Sequence, residues 1–161
     1  MDEQSGQAPQ RRLDTQNPRA SRLAALRILY AADVRGVDLL DVLHDVLAQQ
    51  TSEDDVDLEG APPDQFAVTL LHGLGAGMAD IDARIARFAR GWRLERMPAV
   101  DRNVLRLAVH ELLTEPTPIP VVIDEAIRMA SELSTEDSGR YINGVLASIA
   151  EELKSLDSGE S

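Results

Sequence analysis

Residues 135–146 read Thr-Glu-Asp-Ser-Gly-Arg-Tyr-Ile-Asn-Gly-Val-Leu. Ser134, Thr135, Asp137 and Ser138 crowd the head of this stretch with short oxygen-bearing side chains of the kind that cap helix N-termini. Tyr141, Ile142, Val145, Leu146, Ile149 and Leu153 then recur at three- and four-residue steps. The stretch predicts a closing helix with one apolar face, and Asp137 is placed to cap it through the amides two or three residues on. Asn143-Gly144 inside that helix is locally unfavourable, by about 1 kcal/mol for Gly against Ala. Close approach of another helix accounts for Gly144, and a polar contact accounts for Asn143.

The same period runs upstream. A helix takes Ile123, Ala126, Ile127, Ala130 and Leu133. Before it, Pro98 opens a helix to about Leu113, striped by Val100, Val104, Leu105, Ala108 and Leu112 and ended by Pro116, Pro118 and Pro120. Asp80 is placed to cap a helix with Ile81, Ile85 and Phe88 inward, closed by Trp92. A further helix runs from Pro62-Pro63 to about Met78 on Phe66, Leu70, Leu71 and Leu74. Residues 51–63 form an acidic loop. Residues 38–50 make the second helix, with Leu39, Leu40, Leu43, Val46 and Leu47 on one face. Asn17-Pro18 starts the first, Leu23, Leu26, Leu29, Tyr30 and Val34 stripe it, and Gly36 stops it. No segment alternates strictly, so the reading is all-α, with about seven helices in one domain over 17–155. Residues 1–16 are Gln-, Ser-, Gly- and Pro-rich and read as a disordered tail, as do 156–161.

Composition agrees. Aromatic residues are only 3% of the chain against 43% hydrophobic, so the core is built from Leu, Ile, Val and Ala, which suits helices. Cysteine is absent, which excludes disulfides, thiolate metal sites and cysteine nucleophiles. No run reaches the ~18 apolar residues that span a bilayer, and the polar N-terminus lacks a signal-peptide core, so a cytoplasmic protein without a membrane partner is expected. The net charge of −12 argues against generic nucleic-acid binding. Its distribution is uneven: residues 1–36 hold six Arg against four acids, and residues 84–106 hold seven Arg against Glu95 and Asp101.

Catalytic chemistry finds no support. His110-Glu111 begins a zinc-protease pattern, but no second His follows, and His44, His72 and His110 are the only histidines. Gly73-Leu74-Gly75-Ala76-Gly77 has neither a preceding strand nor a following Lys-Ser/Thr, so close helix packing or a helix end explains it better than a phosphate loop. Asp55, Asp57, Glu59 and Gly60 resemble half a calcium loop, yet Phe66 stands where the twelfth-position Glu belongs. No nucleophile, base and orienter come together, and no cofactor or metal is implied. The Arg84, Arg87, Arg90 stripe reads as a solvated face.

Five segments in order resemble the NusB family. They are Arg19-Ala20-Ser21-Arg22 with Leu29-Tyr30, then Trp92-Arg93-Leu94, then residues 101–113 (DRNVLRLAVHELL), residues 119–127 (IPVVIDEAI) and the opening stretch 135–146. The resemblance covers about 17–153. It implies two small helical bundles side by side. It also implies transcription antitermination: a boxA-like single-stranded RNA is held jointly with the ribosomal protein NusE, and RNA polymerase and the other Nus factors are engaged indirectly in ribosomal RNA transcription. Some relatives form homodimers that hide the RNA surface.

The resemblance further implies RNA contacts at Arg19, Arg22, Arg27, Tyr30, Arg140, Tyr141 and Asn143, with Asp137 either near the RNA and partner surface or acting as the helix cap. Cationic side chains and aromatic rings are what single-stranded RNA needs. The chain departs from its relatives where Pro18 and Ala20 interrupt the Arg cluster and Leu23 replaces a common Glu; Arg11 and Arg12 lie further out. Fewer phosphate contacts imply weaker binding and greater dependence on the partner. Two alternatives follow: an acidic protein-interaction module of the same fold, and the RNA-binding part of an RNA cytosine methyltransferase, whose Cys nucleophile and α/β domain are missing here.

Overall fold

The computed structural model describes residues 18–49, 62–114 and 117–158. The N-terminal stretch 1–16, the Asn17 cap, most of the acidic loop and Pro116 lie outside them. Among the described residues the regular structure is six helices and a 3₁₀ turn: α1 (Pro18–Arg35), α2 (Leu39–Gln49), α3 (Gln65–Phe88), the turn Leu94–Arg96, α4 (Ala99–Thr114), α5 (Ile119–Leu133) and α6 (Glu136–Ser158). No helix among the described residues is long and apolar enough to cross a membrane.

The helix ends follow from the sequence. Gly36 adopts φ +68°, where a left-handed residue closes α1. The amides of Gly36 and Val37 then donate to Asp33 and Ala32 carbonyls at 3.2 and 3.0 Å. Asp38 caps α2 by accepting from the Leu40 amide at 2.9 Å. Asp64 caps α3 through the Ala67 amide at 2.9 Å. Pro120 sits in the first turn of α5, where a missing amide costs nothing. Helix α6 runs on to Ser158, past the expected limit near 155, because helix formers continue through residues 151–154.

The two helices expected on either side of Asp80 meet within α3 at a kink, where Gly77 leaves the helical region (φ −119°, ψ 18°) three residues before Asp80. The neighbouring glycines serve packing. A Cβ on Gly73 would overlap the buried His110 ring of α4, and one on Gly75 would meet Leu40 of α2.

Helices α1, α2 and α3 pack on one another, and α4, α5 and α6 do the same, giving the two expected bundles. Helix α4 joins them by also packing against α1 and α3. Val104, Leu105, Leu107, Ala108 and Val109 of α4 are all buried, as in a helix enclosed on most sides. Three of its polar residues tie it to the first bundle. Arg102 and Asn103 donate to Asp33 of α1 at 2.8 and 2.9 Å, and Arg106 forks onto Asp82 of α3 at 2.8 and 2.9 Å.

Candidate nucleic-acid interface

Four of the expected RNA-binding residues lie on α1, and the fold separates them. Leu26 and Leu29 fix the inward face of the helix, and Arg22, four and seven residues before them, falls on that face. Its guanidinium is buried, donates twice to the Glu111 carboxylate of α4 at 2.8 Å, and lies 5.7 Å from the Phe66 ring centroid. The Glu111 hydrogen bonds raise the Arg22 pKa above its ordinary value. Arg22, expected at the RNA surface, is instead buried: it links the two bundles, and its charge is already matched by Glu111. Arg19 is exposed but forks onto Glu125 of α5 at 3.2 and 3.3 Å. That hydrogen bonding keeps Glu125 below the usual carboxylate range.

Arg27 and Tyr30 point outward. With Leu23, Leu26, Val100 of α4 and Leu133 of α5 they line a shallow pocket of about 260 Å³. Tyr30 is 42% exposed and Leu133 50%, so an aromatic ring, an aliphatic side chain and a free guanidinium share one surface.

The remaining residues lie on α6. Its cap is Thr135, whose hydroxyl accepts from the Ser138 amide at 3.0 Å. Asp137 is not the cap; its side chain is 93% exposed, 3.9 Å from Arg140. Arg140 and Asn143 are also exposed. The close helix expected at Gly144 is absent, since a Cβ there would meet nothing within 4 Å. Tyr141 is half-buried, with its ring edge-on to Trp92 at 4.9 Å between centroids. Its hydroxyl is buried with no hydrogen-bond partner among the described residues, and burial raises the phenol pKa. Its remaining surface lines an open groove of about 810 Å³ shared with Phe88, Arg90, Arg140 and Gly144.

The start of α4 lies between these two faces. Val100 lines the α1 pocket, and the adjacent Asp101 carboxylate accepts from the Ser138 hydroxyl at 2.8 Å, two residues before Arg140. Two of the Arg stripe are also structural. Arg84 and Arg87 donate to the two oxygens of Glu152 on α6 at 2.9 and 2.7 Å, so they tie α3 to α6. Arg90 lies past the end of α3 and has no ion-pair partner among the described residues.

A family model described as the NusB family matches residues 19–151. The chain belongs to the NusB family. It is similar to the transcription antitermination protein NusB of Acidothermus cellulolyticus, 43% identical over 130 residues that cover 80% of this chain and 83% of the relative. T. maritima NusB superposes with a TM-score of 0.70 at 37% identity, over 85% of this chain and 93% of that one. A chain of the crystal structure of antitermination factors NusB and NusE in complex with double-stranded RNA has the same fold, with a TM-score of 0.67 at 24% identity over 83% and 96%. For this NusB-family chain, sequence reasoning missed Glu111 as the partner of Arg22 and Arg90 as an unpaired cation beside Tyr141. The first was signalled by Arg22 sharing a stripe with Leu26 and Leu29. The second was signalled by Gly91 and Trp92, which end the helical register and release Arg90 from the stripe.

Proposed function

We propose that this NusB-family protein is a transcription antitermination factor. It binds a boxA-type single-stranded RNA together with ribosomal protein NusE, supports transcription of ribosomal RNA operons in the cytoplasm, and catalyses no reaction. Other Nus factors and RNA polymerase are engaged indirectly. The observation that carries this reading is the pair of adjoining faces at the start of α4. One offers Arg27 and Tyr30, the other Arg140, Asn143 and the open side of Tyr141. Guanidinium groups meet phosphates, and aromatic faces take bases, without requiring a duplex. Arg19 joins them by exchanging Glu125 for phosphate, and Asp137 sits at the edge of the second face. Exposed Tyr30, Leu133 and Val34 supply apolar area for the protein partner. A basic ribosomal protein suits the acidic remainder of the chain.

The internal pairing of Arg22 and Arg19 favours a second reading, an acidic protein-interaction module with little RNA affinity. Terminator read-through in a reconstituted transcription reaction with NusE and the other Nus factors tests both. Read-through that rises with this protein and falls when boxA is scrambled supports antitermination through RNA. Read-through indifferent to boxA supports the interaction module.

A further inference from the structure

Asp101 is fully buried, so it offers nothing to a ligand from outside, yet it stands between the two outward faces. It lies in the first turn of α4, and its Oδ2 accepts from the hydroxyl of Ser138 in the first turn of α6 at 2.8 Å. Its Oδ1 is buried with no hydrogen-bond partner among the described residues. A buried carboxylate so thinly bonded is costly on its own. What offsets the cost is that two helix starts meet at it, its own and that of α6, and the positive end of each favours an anion. Ser138 spends its one hydroxyl hydrogen on Asp101, so the Ser134 and Thr135 hydroxyls, 3.1 and 3.0 Å away, donate to it in turn. Thr135 also caps α6 by accepting from the Ser138 amide. The cap of α6 thus ends on a charge that belongs to α4, and each bond in the chain polarises the next. The residues on either side of Asp101 hold α4 in place. Val100 lines the α1 pocket, while Arg102 donates to Asp33 of α1 at 2.8 Å and to the Leu94 and Met97 carbonyls at 3.0 and 3.2 Å.

We infer that Asp101 is a positioning residue: from inside the seam between α4 and α6, its charge fixes the first turn of α6 relative to α1. Arg140 and Tyr141 follow Ser138 by two and three residues, less than one helical turn, so the placement of Ser138 is carried to both. Asp101 thereby sets their spacing from Arg27 and Tyr30. The inference rests on the RNA-binding reading above and adds to it a residue that never touches the ligand. A ligand that spans both faces gains from having that spacing set in advance, because less ordering is left for the moment of binding.

The test uses the full chain with Asp101→Asn, which keeps the outline and removes the charge, and with Ser138→Ala, which removes the donor. Circular dichroism checks folding, and Asp101→Asn carries the comparison if Ser138→Ala does not fold. Each change is also made in a chain lacking both α6 contacts, Arg140→Ala with Tyr141→Ala. Anisotropy of a labelled boxA-like RNA with NusE present gives the affinity. Emission of Trp92, whose ring meets Tyr141 edge-on, reports the start of α6 without RNA. The expected result is a shifted Trp92 emission maximum and RNA binding weakened about threefold or more, with little further loss once the α6 contacts are gone. An unmoved emission maximum, an unchanged affinity, or a loss just as large without the α6 contacts overturns the inference and leaves the RNA reading intact. No selective RNA binding by the unmodified chain overturns both.

Discussion

Arg22 and Glu111 join the two bundles through a forked ion pair, two hydrogen bonds of 2.8 Å between side chains that are 4% and 2% exposed. A basic residue expected at the RNA surface is instead a buried link between α1 and α4, covered by Phe66.

Removing one partner should therefore cost stability first. Glu111→Ala leaves a buried guanidinium without a counter-charge, an effect of about 3–5 kcal/mol. Urea unfolding followed by the fluorescence of Trp92, the only tryptophan, measures it. The double replacement Arg22→Met with Glu111→Leu should recover most of the loss, since apolar residues of similar volume replace such pairs at little cost. A single-variant loss below about 1 kcal/mol would mean the pair behaves as if solvent-exposed.

Glycines 73 and 144 should respond in opposite directions. Gly73→Ala forces a methyl into the buried His110 ring, which Thr114 also contacts, and should destabilise by about 1–3 kcal/mol. Gly144→Ala meets nothing and should stabilise α6 by about 0.5–1 kcal/mol. Paired thermal melts check both, and a stabilising Gly73→Ala would contradict the close approach of α3 and α4.

Tyr141 sets an alkaline limit. Burial favours its neutral phenol, so its folded pKa lies above the ordinary tyrosine value. Its contribution to stability is fully present below that ordinary value and is lost as pH rises through the folded one. In Tyr30→Phe, Tyr141 is the only tyrosine left, and its phenolate absorbance should appear above the ordinary tyrosine range of about 10 while the fold loosens. A midpoint at the ordinary value would place the hydroxyl in water.

Much of this fold is written in local pattern. The apolar stripes located each helix among the described residues, and Gly36, Asp64 and Thr135 sit where capping chemistry requires them. The division near Asp80 survives only as a kink at Gly77, and the close packing expected of the glycine run is met by Gly73 and Gly75 against His110 and Leu40 on other helices. The site was less legible. That Arg22 turns inward follows from its stripe, but its carboxylate partner stands 89 positions away. Asp137 and Thr135 are equally good caps by composition, and only backbone geometry gives the role to Thr135. The stripe is solvated at Arg87 and Arg90 as expected, and only Arg84 is largely covered, by Glu152 on a distant helix.

On the function proposed above, the outward faces of α1 and α6 bind boxA-type RNA with NusE. Anisotropy of a labelled boxA-like RNA against a scrambled one, at two salt concentrations, with and without NusE, tests it most directly. Selective binding should strengthen with NusE, weaken in Tyr30→Ala, and lose about one unit of salt slope in Arg27→Ala. No selective binding under any condition, with NusE still engaged, would contradict it.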